Sequence, residues 1–213
     1  MALEFLPRQS VRVLVPATGP TMESERLVLR PVSERDVPAL FAIRARPEVA
    51  KSNYPKTPFK SIEETKEWLA SKIFTGPDDV KGRSFNYSVF DKSVPESEEQ
   101  VVGYVSINTL TPCPDIGYSY LPETWGKGYA TEALQLLLKM WWALPRQNPQ
   151  FIDGTTEDIE KVYAICEKSN AASCKVLTKC GFEVNKETTY EGVGLYLWAL
   201  NKPETSCKPK GDI

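Results

Sequence analysis

Trp125-Gly126-Lys127-Gly128-Tyr129-Ala130-Thr131-Glu132-Ala133-Leu134-Gln135-Leu136-Leu137-Leu138-Lys139-Met140 decides how the rest of this chain is read. Its first third carries two glycines one residue apart. From Ala130 onward it consists of good helix formers, with Leu134, Leu137, Leu138 and Trp141 at i, i+3, i+4 and i+7. That spacing predicts a tight loop feeding a helix from Thr131 to about Trp142 with one buried stripe. Lacking a Cβ, Gly126 and Gly128 can take positive φ and let a bulky ligand approach the main chain. The first amides of the helix have no partner inside it and sit at the positive end of its dipole, so they suit phosphate oxygens. Each amide bonded to a charged oxygen contributes about 1.5–3 kcal/mol, so three or four could hold a pyrophosphate. The stretch is neither a Walker loop, having no Gly-Lys-Ser/Thr, nor a GxGxxG fingerprint. Alone, Gly-Lys-Gly also suits an ordinary turn before a buried helix.

The flanks give the loop a setting. Asp115 to Leu121 reads as a strand running straight into it, with Gly117 inside, where a glycine signals a bulge or a close backbone approach. Ser84 to Phe90 and Gln100 to Leu110 precede it as further strands, joined by Pro-containing linkers that favour an antiparallel meander. Nearer the start, Glu25 to Arg30 alternates as a strand stopped by Pro31, and Ser33 and Asp36 open a helix that Pro47 is expected to end. Lys51 to Lys60 is irregular. Ser61 followed by Glu64 reads as a capping box opening a helix to about Phe74.

Beyond the loop, a polar connection from Pro145 to Asp158 leads to a strand over Lys161 to Glu167. A helix from Asn170 to Cys180 stops at Gly181, and a hairpin turns around Glu191-Gly192. The predicted class is α/β: a single mixed, mostly antiparallel sheet with crossover helices. Residues 1–22 form an extension, in which Val11, Val13 and Val15 are placed to add an edge strand or dock on the domain. Residues 23–200 form the domain, and 201–213 a polar tail.

The 213 residues are 41% hydrophobic and 25% charged, with a formal net charge of −2, so the balance favours one globular domain. No basic field draws the chain to nucleic acid or to an anionic membrane. No apolar run reaches the length of a signal peptide core or a membrane span, and the expected compartment is the cytoplasm. Five cysteines (Cys113, Cys166, Cys174, Cys180, Cys207) without a CxxC pair, and no histidine at all, argue against zinc and disulfide frameworks. The missing histidine also removes Ser-His and Cys-His nucleophile schemes.

Three ordered landmarks make the chain resemble a known family: Asp115-Ile116-Gly117-Tyr118; Trp125 to Ala133; and Asn170-Ala171-Ala172-Ser173-Cys174-Lys175-Val176-Leu177-Thr178-Lys179-Cys180-Gly181-Phe182. Together they are similar to the GCN5-related N-acetyltransferase (GNAT) superfamily. The closest likeness is to its branch of ribosomal-protein N-terminal acetyltransferases, whose first strand Arg26 to Pro31 also resembles. The resemblance implies acetyl-CoA as donor and a small-molecule amine or peptide N-terminus as acceptor, attacked directly in a ternary complex by a monomer or homodimer. It implies amides of Gly126, Lys127, Gly128, Tyr129, Ala130 and Thr131 on the CoA pyrophosphate. Pantetheine would lie in a cleft where two strands splay at a bulge near Gly117 and Tyr118, Asn170 would meet the cofactor arm, and Ser173 would sit near the thioester sulfur. The tyrosine that many relatives use as general acid is not evident after Asn170, so that role falls to Ser173 or solvent. A CoA-binding regulatory module without turnover is the alternative.

An amine of pKa near ~10 is only about 0.1% neutral at pH 7, a cost of about 4 kcal/mol that a base lowers. Glu167, at the exit of its strand, is the first candidate base. Asp115 and Glu123 follow, with Tyr118 and Tyr120 weaker. Main-chain amides of Gly117 to Ser119 are candidates for the carbonyl oxygen. Lys127 and Lys175 could add charge beside phosphates. Tyr54, Phe59, Trp68 and Tyr190 are expected to line the acceptor side.

Overall fold

The alternation in Leu27-Val28-Leu29-Arg30-Pro31 places Leu27 and Leu29 fully inside, and these residues form a strand. In the computed structural model, which describes residues 5–9, 13–95, 101–146 and 159–204, this is β2 (Leu27–Pro31), beside a short β1 (Met22–Glu23) and β3 (Phe85–Asp91). β4 (Val101–Thr109), β5 (Asp115–Tyr120), β6 (Lys161–Glu167), β7 (Glu183–Tyr190) and β8 (Val193–Asn201) complete one sheet in the order β1-β2-β3-β4-β5-β6-β8-β7. Among the described residues only β5 and β6 pair in parallel. A parallel pair needs a long crossover, and α4 (Tyr129–Ala143) lies within it. The expected α/β class with a mixed, mostly antiparallel sheet is the fold observed.

One face of the sheet packs against α4 and α5 (Ala171–Lys179), burying Ala133, Leu134, Leu137 and Trp141 completely in the main core. The other face carries α1 (Val37–Arg44), α2 (Pro47–Ala50) and α3 (Ile62–Ala70), with a smaller cluster of Ile43, Val49, Phe90 and Val101. These two layers place one helix pair behind the glycine loop and three short helices in front of the sheet.

Several local expectations change. Pro47 opens α2 instead of ending a helix, because the first helical position needs no N–H partner. α3 stops at Ala70, short of Phe74, which is buried and bridges Arg83. Ser61 Oγ accepts from Glu64 N at 3.1 Å, but Glu64 reaches back to Lys60 N at 2.7 Å rather than to the cap itself. α4 starts at Tyr129, two residues before Thr131, since Gly128 at φ +84° acts as its N-cap. Val13 and Val15 dock in the main core, Val13 bridging Arg146; Val11 lies outside the described residues. So do Gln100, the 147–158 connection, the tail beyond 204 and Cys207; Cys113, Cys166, Cys174 and Cys180 are free thiols. No helix among the described residues is long and apolar enough to cross a membrane.

Candidate active site

The glycine loop is built as its sequence requires. Gly126 at φ +77° and Gly128 at φ +84° both occupy the left-handed region, where a side chain is strained. Glu132 N is bonded to Gly128 O at 3.1 Å, so the amides of Tyr129, Ala130 and Thr131 precede the intrahelical ladder and remain donors. Long-range contacts fix the loop. Glu132 accepts from Ser24 Oγ (2.6 Å), Arg26 N (3.1 Å), Arg26 Nε (2.8 Å) and Arg26 Nη2 (2.5 Å). Burial opposes ionisation of Glu132, but these hydrogen bonds outweigh it and hold its carboxyl below the usual range. Arg26 Nη1 also donates to Lys127 O at 2.8 Å. Since a trans peptide points its C=O and N–H in opposite directions, that bond turns the Gly128 N–H away from Arg26. Tyr129 Oη donates to Asp91, and the Arg26 guanidinium lies 5.0 Å from the Tyr129 ring. Arg26, Ser24 and Asp91 were missed in the sequence because 38 to 108 residues separate the partners.

The loop caps one end of a V. β5 and β6 share a single register pair, Asp115 with Tyr163, supported by Tyr163 N to Pro114 O at 2.9 Å. Beyond that pair the strands part toward their C-terminal ends, leaving main-chain groups on the β5 edge without a strand partner. Such orphaned donors and acceptors fit an amide-bearing arm such as pantetheine. The expected bulge at Gly117 is a correction. Gly117 pairs regularly with Ser106, and the register shift lies on β4 between Ile107 and Thr109. Gly117 serves the other purpose, close approach: a Cβ there would meet Asn108 Nδ2 at 2.5 Å.

Across the V stand the two expected partners from β5 and α5. Tyr118 Oη lies 2.7 Å from Ser173 Oγ. Burial pushes the Tyr118 phenol well above its ordinary range, so it stays protonated at neutral pH. Asn170 is the N-cap of α5, its Oδ1 accepting from Ser173 N at 3.0 Å. Glu167 sits at the open end, four residues from Tyr163 and so about 13 Å from the vertex. There it pairs with Lys56 Nζ at 2.5 Å, which ties the irregular 51–60 segment to β6. Glu123 lies outside the V and pairs with Arg46. Tyr120 is enclosed in the core. Lys127 and Lys175 are exposed.

The sheet face under α1 to α3 carries several polar side chains. Register places Ser88, Tyr104 and Ser119 opposite one another across β3, β4 and β5, and Asn86, Ser106 and Gly117 in the next row. Ser119 Oγ donates to Asn53 Oδ1 at 3.1 Å. Asp115 accepts from Asn108 Nδ2 (3.1 Å) and Thr109 Oγ1 (2.5 Å), yet burial raises its carboxyl above the usual range. Of the expected aromatic lining, Phe59 and Trp68 are together, with ring centroids 6.1 Å apart, and Trp68 meets Tyr104 at 5.2 Å. Tyr54 is exposed, and Tyr190 lies on β7.

The GNAT acetyltransferase domain model matches residues 26–183. The uncharacterized N-acetyltransferase p20 of Bacillus licheniformis is 26% identical over 167 residues, covering 76% of this chain and 82% of its own length. Among solved structures, RimL, the ribosomal L7/L12 alpha-N-protein acetyltransferase in complex with coenzyme A, superposes with TM-score 0.64 at 21% identity, covering 85% of this chain and 98% of its own. Spermidine N-acetyltransferase from Vibrio cholerae, in complex with CoA and spermine, gives TM-score 0.61 at 16% identity, covering 84% and 97%. With a matching family model over most of its length, this chain belongs to the GNAT acetyltransferases and is an N-acetyltransferase.

Proposed function

We propose that the protein moves the acetyl group of acetyl-CoA directly to a primary amine, of a small molecule or a peptide N-terminus, in a ternary complex. The observation that carries this reading is the V between β5 and β6, closed at Asp115 and Tyr163 and capped by the loop of two left-handed glycines. Gly126, Lys127, Gly128, Tyr129, Ala130 and Thr131 would hold the diphosphate through main-chain amides. Gly117 and Tyr118 would line the arm, and Asn170, with Oδ1 engaged in its cap, offers its Nδ2. When bound, acetyl-CoA supplies an activated acetyl group as a thioester.

The chain's own groups manage the protons. Glu167 takes the proton of the incoming ammonium at the open end, and Lys56 orients its carboxylate until then. Ser173 Oγ, oriented by the protonated Tyr118 Oη, gives a proton to the departing sulfur and is restored by the second proton that the attacking nitrogen sheds as the amide forms. The polar residues on the sheet face under α1 to α3 would meet the amine. RimL and the spermidine enzyme are named for a protein N-terminus and a polyamine, and both fit this class of acceptor.

Initial-rate kinetics with varied acetyl-CoA and amine, read by thiol release and by mass spectrometry of the products, test the proposal. Intersecting double-reciprocal lines with an acetylated amine and no acetyl left on the protein are expected. Parallel lines with a trapped acetyl-enzyme, or bound cofactor without product from any amine, would contradict it.

A further inference from the structure

Arg44 is 4% exposed, yet its guanidinium donates no hydrogen bond and meets no carboxylate among the described residues. Its carbon lies 4.4 Å from the Phe59 ring centroid and 4.9 Å from that of Trp68. Cation–π contacts of this kind are individually modest, so the two rings leave the N–H donors of this largely buried guanidinium without a protein acceptor among the described residues. A second cation shares the same aromatic ring: Lys72 Nζ is 5.7 Å from Trp68. Burial lowers the Lys72 ammonium; Asp115 opposes that shift and Arg44 adds to it.

A chain of contacts links this group to β5. Trp68 stacks edgewise on Tyr104, whose hydroxyl is 3.5 Å from Ser119 Oγ, two residues from Gly117 on the V. The same sheet face holds Asn86 Oδ1 and Nδ2 and Ser88 Oγ, all buried without a hydrogen-bond partner among the described residues. Polar groups in excess and two cations against one carboxylate make poor core but a fitting receptor for an anion.

We infer that the acceptor carries a carboxylate besides its amine, docked against the Arg44 guanidinium with Lys72 as second cation, so that the substrate class is amino-acid-like and not polyamine. The guanidinium edge offers paired N–H donors matched to a planar carboxylate. This rests on the proposed transfer to an amine and narrows it.

The test compares matched acceptors, amino acids and their own amides, by kcat/KM in the intact protein, with calorimetric acetyl-CoA binding alongside. The amide's amine is less basic and so more often neutral, which biases the comparison against the inference. A charged hydrogen bond of this kind corresponds to about tenfold or more in favour of the carboxylate. Arg44→Met, which keeps the aliphatic stem, is expected to bring the ratio near one through KM of the amino acid while cofactor affinity is unchanged. Lys72→Gln, at a half-exposed position, should lower the ratio in the same direction and serves if the Arg44 variant does not fold. A wild-type protein that uses amides or polyamines at least as well overturns the inference and leaves amine acetylation standing. Acetyl-CoA bound with no acceptor turned over overturns both.

Discussion

Tyr118 Oη and Ser173 Oγ are 2.7 Å apart, joining β5 to α5 across the space where the sheet opens. If this pair returns a proton to the leaving sulfur, Ser173→Ala should lower kcat about 10²-fold, the low end for positioned acid–base groups. Tyr118→Phe should cost less, because it removes only the hydrogen bond that orients Ser173 Oγ. Acetyl-CoA affinity should hardly move in either variant. Steady-state rates with calorimetric binding check this; equal loss of binding and kcat would make the pair structural.

The loop clamp predicts an effect on binding alone. Arg26 holds Lys127 O and Glu132 together, with its side chain 45% exposed and that of Glu132 19%. Arg26→Met should weaken acetyl-CoA several-fold with little change in thermal stability. The difference between wild type and variant should shrink as salt screens the exposed pair. A variant that binds as tightly as wild type at low salt would remove the clamp from the account.

Gly103 faces Tyr120 across β4 and β5, and a Cβ on it would fall inside the Tyr120 ring. Both residues are buried. Gly103→Ala should therefore destabilise the protein by about 1–3 kcal/mol, the usual cost of overpacking. Urea denaturation measures it, and an unchanged midpoint would show that the ring can move aside.

Asp115 sets a pH dependence whose sign follows from burial. Its folded-state pKa lies above the ordinary carboxylate value, so its contribution to stability is complete below that ordinary range and is lost as pH rises through the folded value. The slope cannot exceed about 1.4 kcal/mol per pH unit for one proton. Asp115→Asn should therefore gain on wild type as pH rises from acid toward neutral. Parallel denaturation curves across that span would contradict the burial argument.

What was legible in the sequence is what local chemistry decides. Glycines at 126 and 128, the leucine stripe of α4, the helix beginning at Asn170 and its Gly181 stop are each fixed by neighbours a few residues away. The parting of β5 from β6 was legible only through the family resemblance, since it depends on which strands pair. Asn108 carried no signal in a run of strand formers, so the irregularity was assigned to Gly117, where a glycine gives one. The burial of Arg44 in the last turn of α1 has no local signal in the sequence, because it comes from the packing of Phe59 and Trp68. Pro47 misled because a proline ends one helix and begins another with equal ease.

The central claim is that a diphosphate-bearing thioester lies along β5 with its phosphates on the amides that open α4. Amide hydrogen exchange with and without coenzyme A tests it most directly. The account predicts slowed exchange in two places, the amides of residues 128–131 and alternate amides of β5 beyond Asp115. Tight binding with exchange unchanged in both segments would contradict it.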